Sequence, residues 1–260
     1  MKKYFHVWWR LTDASFQNFF VSRIGAILFL FGKVVRFVFY LAFLIILISR
    51  TQIFAGYNLW QVILFYLTFN FIDSATQMVF REVYRFRQLV LSGNFDLILV
   101  KPVNSLFRSL FGGADLLDMI TLLPFVIFVG IAAYHVPGVT IFSITLYLLL
   151  IFNALWIAMS FHIMVLALAI LTTEIDHAIM IYRDFTSMGK LPVDIYSEPL
   201  RSFVTFVIPV GVMMTYPAKA MMGLLNINGI IFALSLSLTI FLFSIILWRF
   251  SLRRYTSASS

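Results

Sequence analysis

The sequence predicts an all-α, polytopic membrane protein with six transmembrane helices, and three observations carry that prediction. Of its 260 residues, 62% are hydrophobic and only 12% charged, against roughly 45–50% apolar and about 25% charged in soluble domains. The mean hydropathy is +0.99. A span needs about 20 apolar residues, so six take roughly 120 and leave about half the chain for loops and interfacial segments. A soluble globular protein is excluded, and residues 1–260 read as one transmembrane domain.

Bulk composition prunes further. With no cysteine there is no disulfide framework, thiolate metal site or cysteine nucleophile. The histidines, His6, His135, His162 and His177, form no pair at metal-ligand spacing, so no metal site is predicted. The net charge of +8 is read as the positive-inside bias of cytoplasmic loops, and nucleic acid is not expected as a partner. Lys2 and Lys3 lead into the aromatic, polar stretch YFHVWWRLTD, unlike the apolar core of a cleaved signal peptide.

Residues 3–20 place Phe5, Trp8, Trp9, Leu11, Phe16, Phe19 and Phe20 near helical spacing, with Lys3, Arg10, Asp13 and Asn18 between them. This pattern predicts an interfacial amphipathic helix over 1–20, the alternative being a frayed start to the first span. That span runs from about Ile24 to Ile48. Its Lys33 and Arg36 lie in the first half, where basic stems snorkel or face a partner helix, which makes that end cytoplasmic. Arg50 to Asn58 is a short outer loop. The second span, about Leu59 to Phe80, carries Asp73, an intramembrane acid and hence a functional candidate. Packing among Asn70, Ser74, Thr76 and Gln77 is the plainer alternative.

Residues 81–109, REVYRFRQLVLSGNFDLILVKPVNSLFRS, form the one long polar insertion of the first half. Arg81, Arg85, Arg87, Lys101 and Arg108 make it cytoplasmic by the positive-inside rule. The third span is expected from about Leu110 to Tyr134, with Asp115 and Asp118 in its early turns, where acids favour a helix N-terminus. His135 to Gly138 is a tight outer turn. Val139 to Leu171 is then apolar without Gly or Pro, roughly 50 Å of helix against a bilayer core of about 30 Å. Either this fourth span tilts and protrudes, or a hairpin lies near Ser160 to His162. The cluster Thr172, Thr173, Glu174, Asp176 and His177 reads as a turn.

Two segments compete for the fifth span. Hydropathy favours Phe203 to Met222, but Pro209, Gly211 and Pro217 interrupt it and suit a kinked or re-entrant element. Ile175 to Leu191 is more polar and holds Arg183 and Asp184. The last span, about Gly229 to Trp248, ends in a basic cluster of Arg249, Arg253 and Arg254. With the fifth span at 175–191, only Arg50, Lys190, Arg201 and Lys219 fall outside. Both termini are then cytoplasmic.

Catalytic motifs are missing from the sequence. Neither Gly32-Lys33 nor Gly189-Lys190 belongs to a Walker A pattern, and there is no G-x-S-x-G elbow or H-E-x-x-H. No catalytic residue is assigned. Two other classes remain for comparison: a membrane-embedded lipid-modifying enzyme using Asp73, Asp115 and Asp118, and an ion-coupled secondary transporter, which calls for inverted repeats.

The string SGNFDLILVKPVNSLF, Ser92 to Phe107, resembles the G-x-(L/F)-D-x-L-L-x-(K/R)-P-x-x-x-L signature between the second and third spans of ABC-2 type permeases. More narrowly, it is similar to a subfamily of roughly 260-residue, six-span bacterial ABC permeases. LPVDIYSEPLRSFVTFVIPVGVMMTYPA, Leu191 to Ala218, resembles that subfamily's Y-P-L-x-I-Y, L-R-x-x-L-T-F-x-I-P and Y-Y-P-A segments, and the ending RRYTSASS also matches. Departures are Leu191 before Pro192, Thr215 before Tyr216-Pro217, and His162 where Trp is usual, so a relative's substrate does not transfer.

The resemblance implies a permease subunit of an exporter in the bacterial cytoplasmic membrane. It implies two kinds of protein partner, a separate ABC ATPase and a second permease, identical or a paralogue, besides membrane lipid. No cofactor is bound by this chain; ATP is hydrolysed by the ATPase. It favours 175–191 as the fifth span and makes 192–223, with Pro192, Tyr196, Pro209, Tyr216 and Pro217, an outer re-entrant segment. The ATPase would engage 81–109: a helix around Arg81 to Leu91 carrying Arg85 and Arg87, a turn at Gly93, Asp96 and Lys101 fixing the loop or touching the ATPase, and Pro102 ending the element. Asp73, Arg183 and Asp184 are the pathway candidates. Arg183 and Asp184 are adjacent on a helix, diverge by about 100° and cannot share one face.

Overall fold

A computed structural model describes residues 2–21, 23–51, 53–172 and 175–256. The first long helices are α1 (Lys2–Val21), α2 (Arg23–Thr51) and α3 (Leu59–Phe80). Phe54 and Tyr57 exchange backbone hydrogen bonds across the turn between α2 and α3. Asn58 then starts α3 with a capping box: its side chain accepts from the Gln61 amide at 3.0 Å, and the Gln61 side chain accepts from the Asn58 amide at 2.9 Å. These reciprocal bonds satisfy two amides that a helix N-terminus otherwise leaves open.

Past Phe80 the chain tightens into a 3₁₀ turn over Arg81–Arg85. It continues through three short helices, α4 (Phe86–Leu91), α5 (Asn94–Leu99) and α6 (Ser105–Leu110). Helix α7 (Leu116–His135) begins six residues later than Leu110, the start expected from hydropathy. Gly113 breaks the apolar run with φ +126°, a backbone state that disfavours a Cβ. Asp115 then caps α7, accepting from the amides of Leu117 (2.9 Å) and Asp118 (3.3 Å).

Helix α8 (Ile141–Thr172) is one unbroken helix of 32 residues, which removes the hairpin alternative. Its internal polar groups bond back along the helix instead of breaking it: Ser160 Oγ donates to the Trp156 carbonyl at 2.9 Å, and His162 Nδ1 lies 2.8 Å from the Ala158 carbonyl. At 1.5 Å per residue it is about 48 Å long, so one end projects beyond a core of about 30 Å. Thr173 and Glu174 of the expected turn, and the last four residues of the RRYTSASS ending, lie outside the described residues.

Helix α9 (Ile175–Ser187) is 13 residues long and is extended by a 3₁₀ turn over Met188–Lys190. Together they rise only about 25 Å. Next, α10 (Leu200–Ser202) runs into a π-turn, and a second π-turn over Gly211–Thr215 leads into α11 (Tyr216–Met221). The two arms, Leu200–Val207 and Gly211–Met221, meet at 80°, with buried Pro209 at the bend. Helix α12 (Ile227–Arg254) closes the fold.

Among the described residues, five helices are long and apolar enough to cross a membrane: α2, α3 with its continuation to Leu91, α7, α8 and α12. The bent pair makes six if taken as one span. The fold is an all-α polytopic membrane protein. Helices α3 and α8 are its axis, buried over most of their lengths, whereas α2, α7 and α12 expose most of theirs. That arrangement suits lipid contact, because a helix apolar all round is either central or lipid-facing. Two apolar clusters hold the bundle together. The larger joins α2, α3, α7 and α8 to the 210–222 segment; the smaller joins the 80–110 region to α8 and to Trp248 of α12.

Candidate functional site

Four helical segments present one face each to a cleft of about 370 Å³. Helix α2 contributes Lys33, Arg36, Phe37 and Tyr40; α3 contributes Tyr66, Phe69, Asn70 and Asp73; α7 contributes Thr121, Pro124, Phe125 and Phe128; α9 and its extension contribute Arg183, Thr186, Ser187 and Lys190. Each of these sets is spaced i, i+3, i+4, i+7, one stripe of an α-helix, and Val34, Val38 and Ser74 flank the stripes of α2 and α3. Pro124, inside α7, removes one backbone hydrogen bond from the helix at the cleft wall.

The cleft brings two predicted site residues together and parts a third from them. Asp73 and Arg183 both line it, while Asp184 is exposed and lies off the lining, as its roughly 100° offset from Arg183 requires. Arg36 and Lys190 were not predicted as site residues. The stripe 183, 186, 187, 190 carried the signal, but Lys190 sits beyond the helical run where periodicity is normally counted.

Polar contacts lead from the cleft toward the 80s. Asp73 Oδ2 accepts from Gln77 Nε2 at 2.8 Å, and Gln77 Oε1 accepts from Arg81 Nη1 at 3.1 Å. Arg81 stands 3.4 Å from Asp115 and 3.7 Å from Asp118. Lys33 of α2 forms an ion pair with Asp118, whose side chain is wholly buried. Of the three acids weighed for a lipid-modifying enzyme, Asp115 is therefore a helix cap and Asp118 a member of a structural ion-pair network tying α2, α3 and α7.

The region 81–110 forms a rigid bracket at the same end. Gly93 turns the chain at φ +72° between α4 and α5, a left-handed conformation that glycine adopts without strain. Phe86 and Phe95 meet edge to face at 5.0 Å, and Phe95 also meets Tyr255, beyond α12, at 5.1 Å. Phe86 and Phe95 are fully buried. An ion pair of 2.9 Å between Arg108 and Glu82 closes the bracket across its base. Arg85 and Lys101 are exposed, and Arg87 and Asp96 half-buried. The Tyr255 hydroxyl is pushed up to about 12 by burial and by the nearby Asp96 carboxylate.

Helix α1 braces the bracket. Lys3 Nζ donates to the Pro102 carbonyl, Tyr4 meets Phe107 edge to face at 4.8 Å, and the Thr12 hydroxyl accepts from the Ala114 amide at 3.0 Å. Gly113 is the close approach: a Cβ there would stand 2.7 Å from the Leu11 carbonyl oxygen.

The sequence profile of the family described as ABC-2 family transporter protein matches residues 34–259. The chain belongs to that family. It is a transporter membrane component, a permease subunit that is not itself catalytic. The match takes in the bracket and nearly all of the cleft, and leaves α1 outside. No curated protein and no solved structure gives a significant match.

On the permease's opposite end, the 192–223 segment is pinned by Asp194, a residue that sequence reasoning passed over. Its carboxylate accepts from Tyr57 at 2.8 Å, from Arg201 at 2.7 Å and from Lys219 at 2.7 Å. Burial opposes ionisation of Asp194, but the hydrogen bonds from Lys219 and Tyr57 and the charges of Lys219 and Arg201 outweigh it. The carboxyl is held below its usual range. The Tyr57 hydroxyl is raised by burial and by the Asp194 carboxylate it donates to. Tyr196 donates to the Met188 carbonyl at 2.9 Å, and buried Pro217 occupies the first turn of α11 with half-buried Tyr216 before it. Buried Pro192 precedes the short 3₁₀ turn that carries Asp194.

Two departures from the family pattern have local explanations in this permease. The Thr215 hydroxyl is buried and accepts from the Val193 amide at 3.2 Å. His162 sits among the rings of Phe80 (5.1 Å), Tyr84 (6.0 Å) and Tyr182 (5.0 Å), filling space as a flat ring in a site closed to solvent.

Proposed function

We propose that this chain is the permease half of an ABC exporter in the bacterial cytoplasmic membrane, pairing with a second permease and two copies of a separate ABC ATPase that hydrolyses the ATP. The bracket of α4, α5 and α6 is the coupling element. It carries Arg85, Arg87, Gly93, Asp96, Lys101 and Pro102 and is the part the ATPase pushes. The observation that carries this reading is mechanical. Phe86 and Phe95 lock the bracket to Trp248 and Tyr255, so force on α4 or α5 passes into the helices instead of being lost in a loose loop.

The orientation follows from charge. The bracket end gathers Arg81, Arg85, Arg87, Lys101 and Arg108, and α12 ends beside it with Arg249, Arg253 and Arg254. Basic residues collect on the cytoplasmic side, which puts both termini inside and the Asp194 cluster outside. Helix α9 with its extension is the fifth span, short because its outer end meets the re-entrant 192–223 segment below the membrane surface. Asp73 and Arg183 line the pathway, and Asp184 faces the second permease.

Recovery of the tagged chain from membranes in mild detergent tests the assignment. A co-purifying ATPase with a Walker A motif is the expected result, and its reproducible absence contradicts the assignment.

A further inference from the structure

Cations in the cleft outnumber the groups that can neutralise them. Lys33 is taken by Asp118. Arg36, Arg183 and Lys190 are left facing one lining carboxylate, Asp73, one of whose oxygens already accepts from Gln77. Lys190 stands 5.6 Å over the Tyr40 ring. Among the described residues, neither Arg36 nor Arg183 is in a salt bridge. Arg36 lies about 20 Å along α2 from Arg23, near the middle of that span. Unpaired cations at such depth are costly and mark ion or substrate sites.

The rest of the wall mixes aromatic rings with aliphatic and neutral polar side chains. Phe37 and Tyr40 both stack on Tyr66, at 5.5 and 4.8 Å, and Phe125 meets Phe37 edge to face at 5.2 Å. Two guanidinium groups, each a planar fork of donors, match carboxylate or phosphate oxygens. The cleft's volume of about 370 Å³ is near the lower end of small-molecule sites, roughly 300–1,000 Å³, enough for a headgroup and the first atoms of a chain.

We propose that this cleft binds the anionic headgroup of an amphiphile, Arg36, Arg183 and Lys190 holding its phosphate or carboxylate oxygens and the wall of Phe37, Tyr66 and Phe125 holding its first apolar atoms. The assignment rests on the cleft being part of the transport pathway and gives that pathway a substrate class. A bilayer lipid and a free amphiphilic cargo share this chemistry.

The full chain in an uncharged detergent, titrated by native mass spectrometry, tests it with dodecyl phosphate and dodecylphosphocholine. The probes have the same chain, but the first is a phosphate monoester with three terminal oxygens and a net negative charge, whereas the second is a diester with two and its choline cancels the charge. Dodecyl phosphate is expected to bind at least about tenfold more tightly, since its third terminal oxygen and net negative charge give the unpaired cations an additional charge-assisted hydrogen bond and no choline cation to oppose them. Arg36→Gln and Arg183→Gln should each remove most of that preference, Arg183→Lys should keep part of it, and Arg249→Gln, an exposed charge near the C-terminus, should leave it intact. Asp73→Asn should tighten dodecyl phosphate severalfold by removing the competing carboxylate. Displacement by phosphatidylglycerol assigns the site to a bilayer lipid, and resistance to displacement assigns it to a single-chain cargo; both support an anion site. Equal affinity of the unaltered chain for the two probes overturns the proposal, as does an equal loss in Arg249→Gln and Arg183→Gln. The comparison on the unaltered chain stands even if a variant does not fold. No ATPase takes part, so failure here is distinct from failure to recover an ATPase.

Discussion

Asp194 gathers Tyr57, Arg201 and Lys219 on one carboxylate and so fixes the 192–223 segment to the turn before α3. Asp194→Asn keeps the shape but removes the charge, and should lower stability by about 1.5–3 kcal/mol, the range for hydrogen bonds to charged groups. The sign of the pH dependence follows from the depressed folded value. The native state prefers the deprotonated form, so the stabilisation is complete above the unfolded carboxyl value of about 3.9 and is lost as pH falls through the lower folded value. Thermal melts of the purified protein should show a gap between the two proteins at neutral pH that closes under strong acid. A gap independent of pH would contradict the ion cluster. This cluster was not legible in the sequence, because its partners lie 137, 7 and 25 positions from Asp194 and no local spacing announces it. Gly93 was legible, because a Ser-Gly pair between two apolar runs is itself a turn signal.

Legibility among the elements follows how locally each is determined. Helix α8 reads directly as one apolar run, since nothing in 139–171 breaks it. The start of α7 does not: Leu110 and Phe111 continue its hydropathy backward, and the true boundary is set by Gly113 and the Asp115 cap. The short helices α5 and α6 were hidden inside a segment read as a loop, because six residues are too few for a periodicity to show. Helix α1 was recognised as amphipathic, yet its seat on the bracket depends on Tyr4, Thr12 and Gly113, which only the folded chain brings together. The bracket's rigidity depends on Phe95. Phe95→Ala should cost about 3–5 kcal/mol, as for other buried Phe truncations. Hydrogen exchange should then show α5 losing protection while the middle of α3 keeps it. Unchanged protection of α5 would mean that the aromatic cluster does not hold the bracket.

At the scale of the whole molecule, the net charge of +8 resolves into three separate roles. A basic bracket and C-terminus lie at one end, a small cluster of two cations on Asp194 at the other, and a cationic cleft in between. The first was visible in the sequence as a pattern along the chain. The cleft was not, because it is made by four segments from distant parts of the sequence. All three fit the proposed permease, in which the bracket is where the moving force arrives. The chain has no cysteine, so a single introduced thiol is the one place on this chain where a thiol-reactive photo-crosslinker attaches. The most direct measurement places that crosslinker through Ser92→Cys, at the exposed turn between α4 and α5, and through Ser197→Cys, exposed beside the Asp194 cluster, in native membrane vesicles. Contact of the ATPase with the bracket predicts an adduct between the Ser92→Cys chain and an ATPase bearing a Walker A motif, changed in yield by ATP, and none from Ser197→Cys. An ATPase adduct from Ser197→Cys alone, or from neither site, would contradict it.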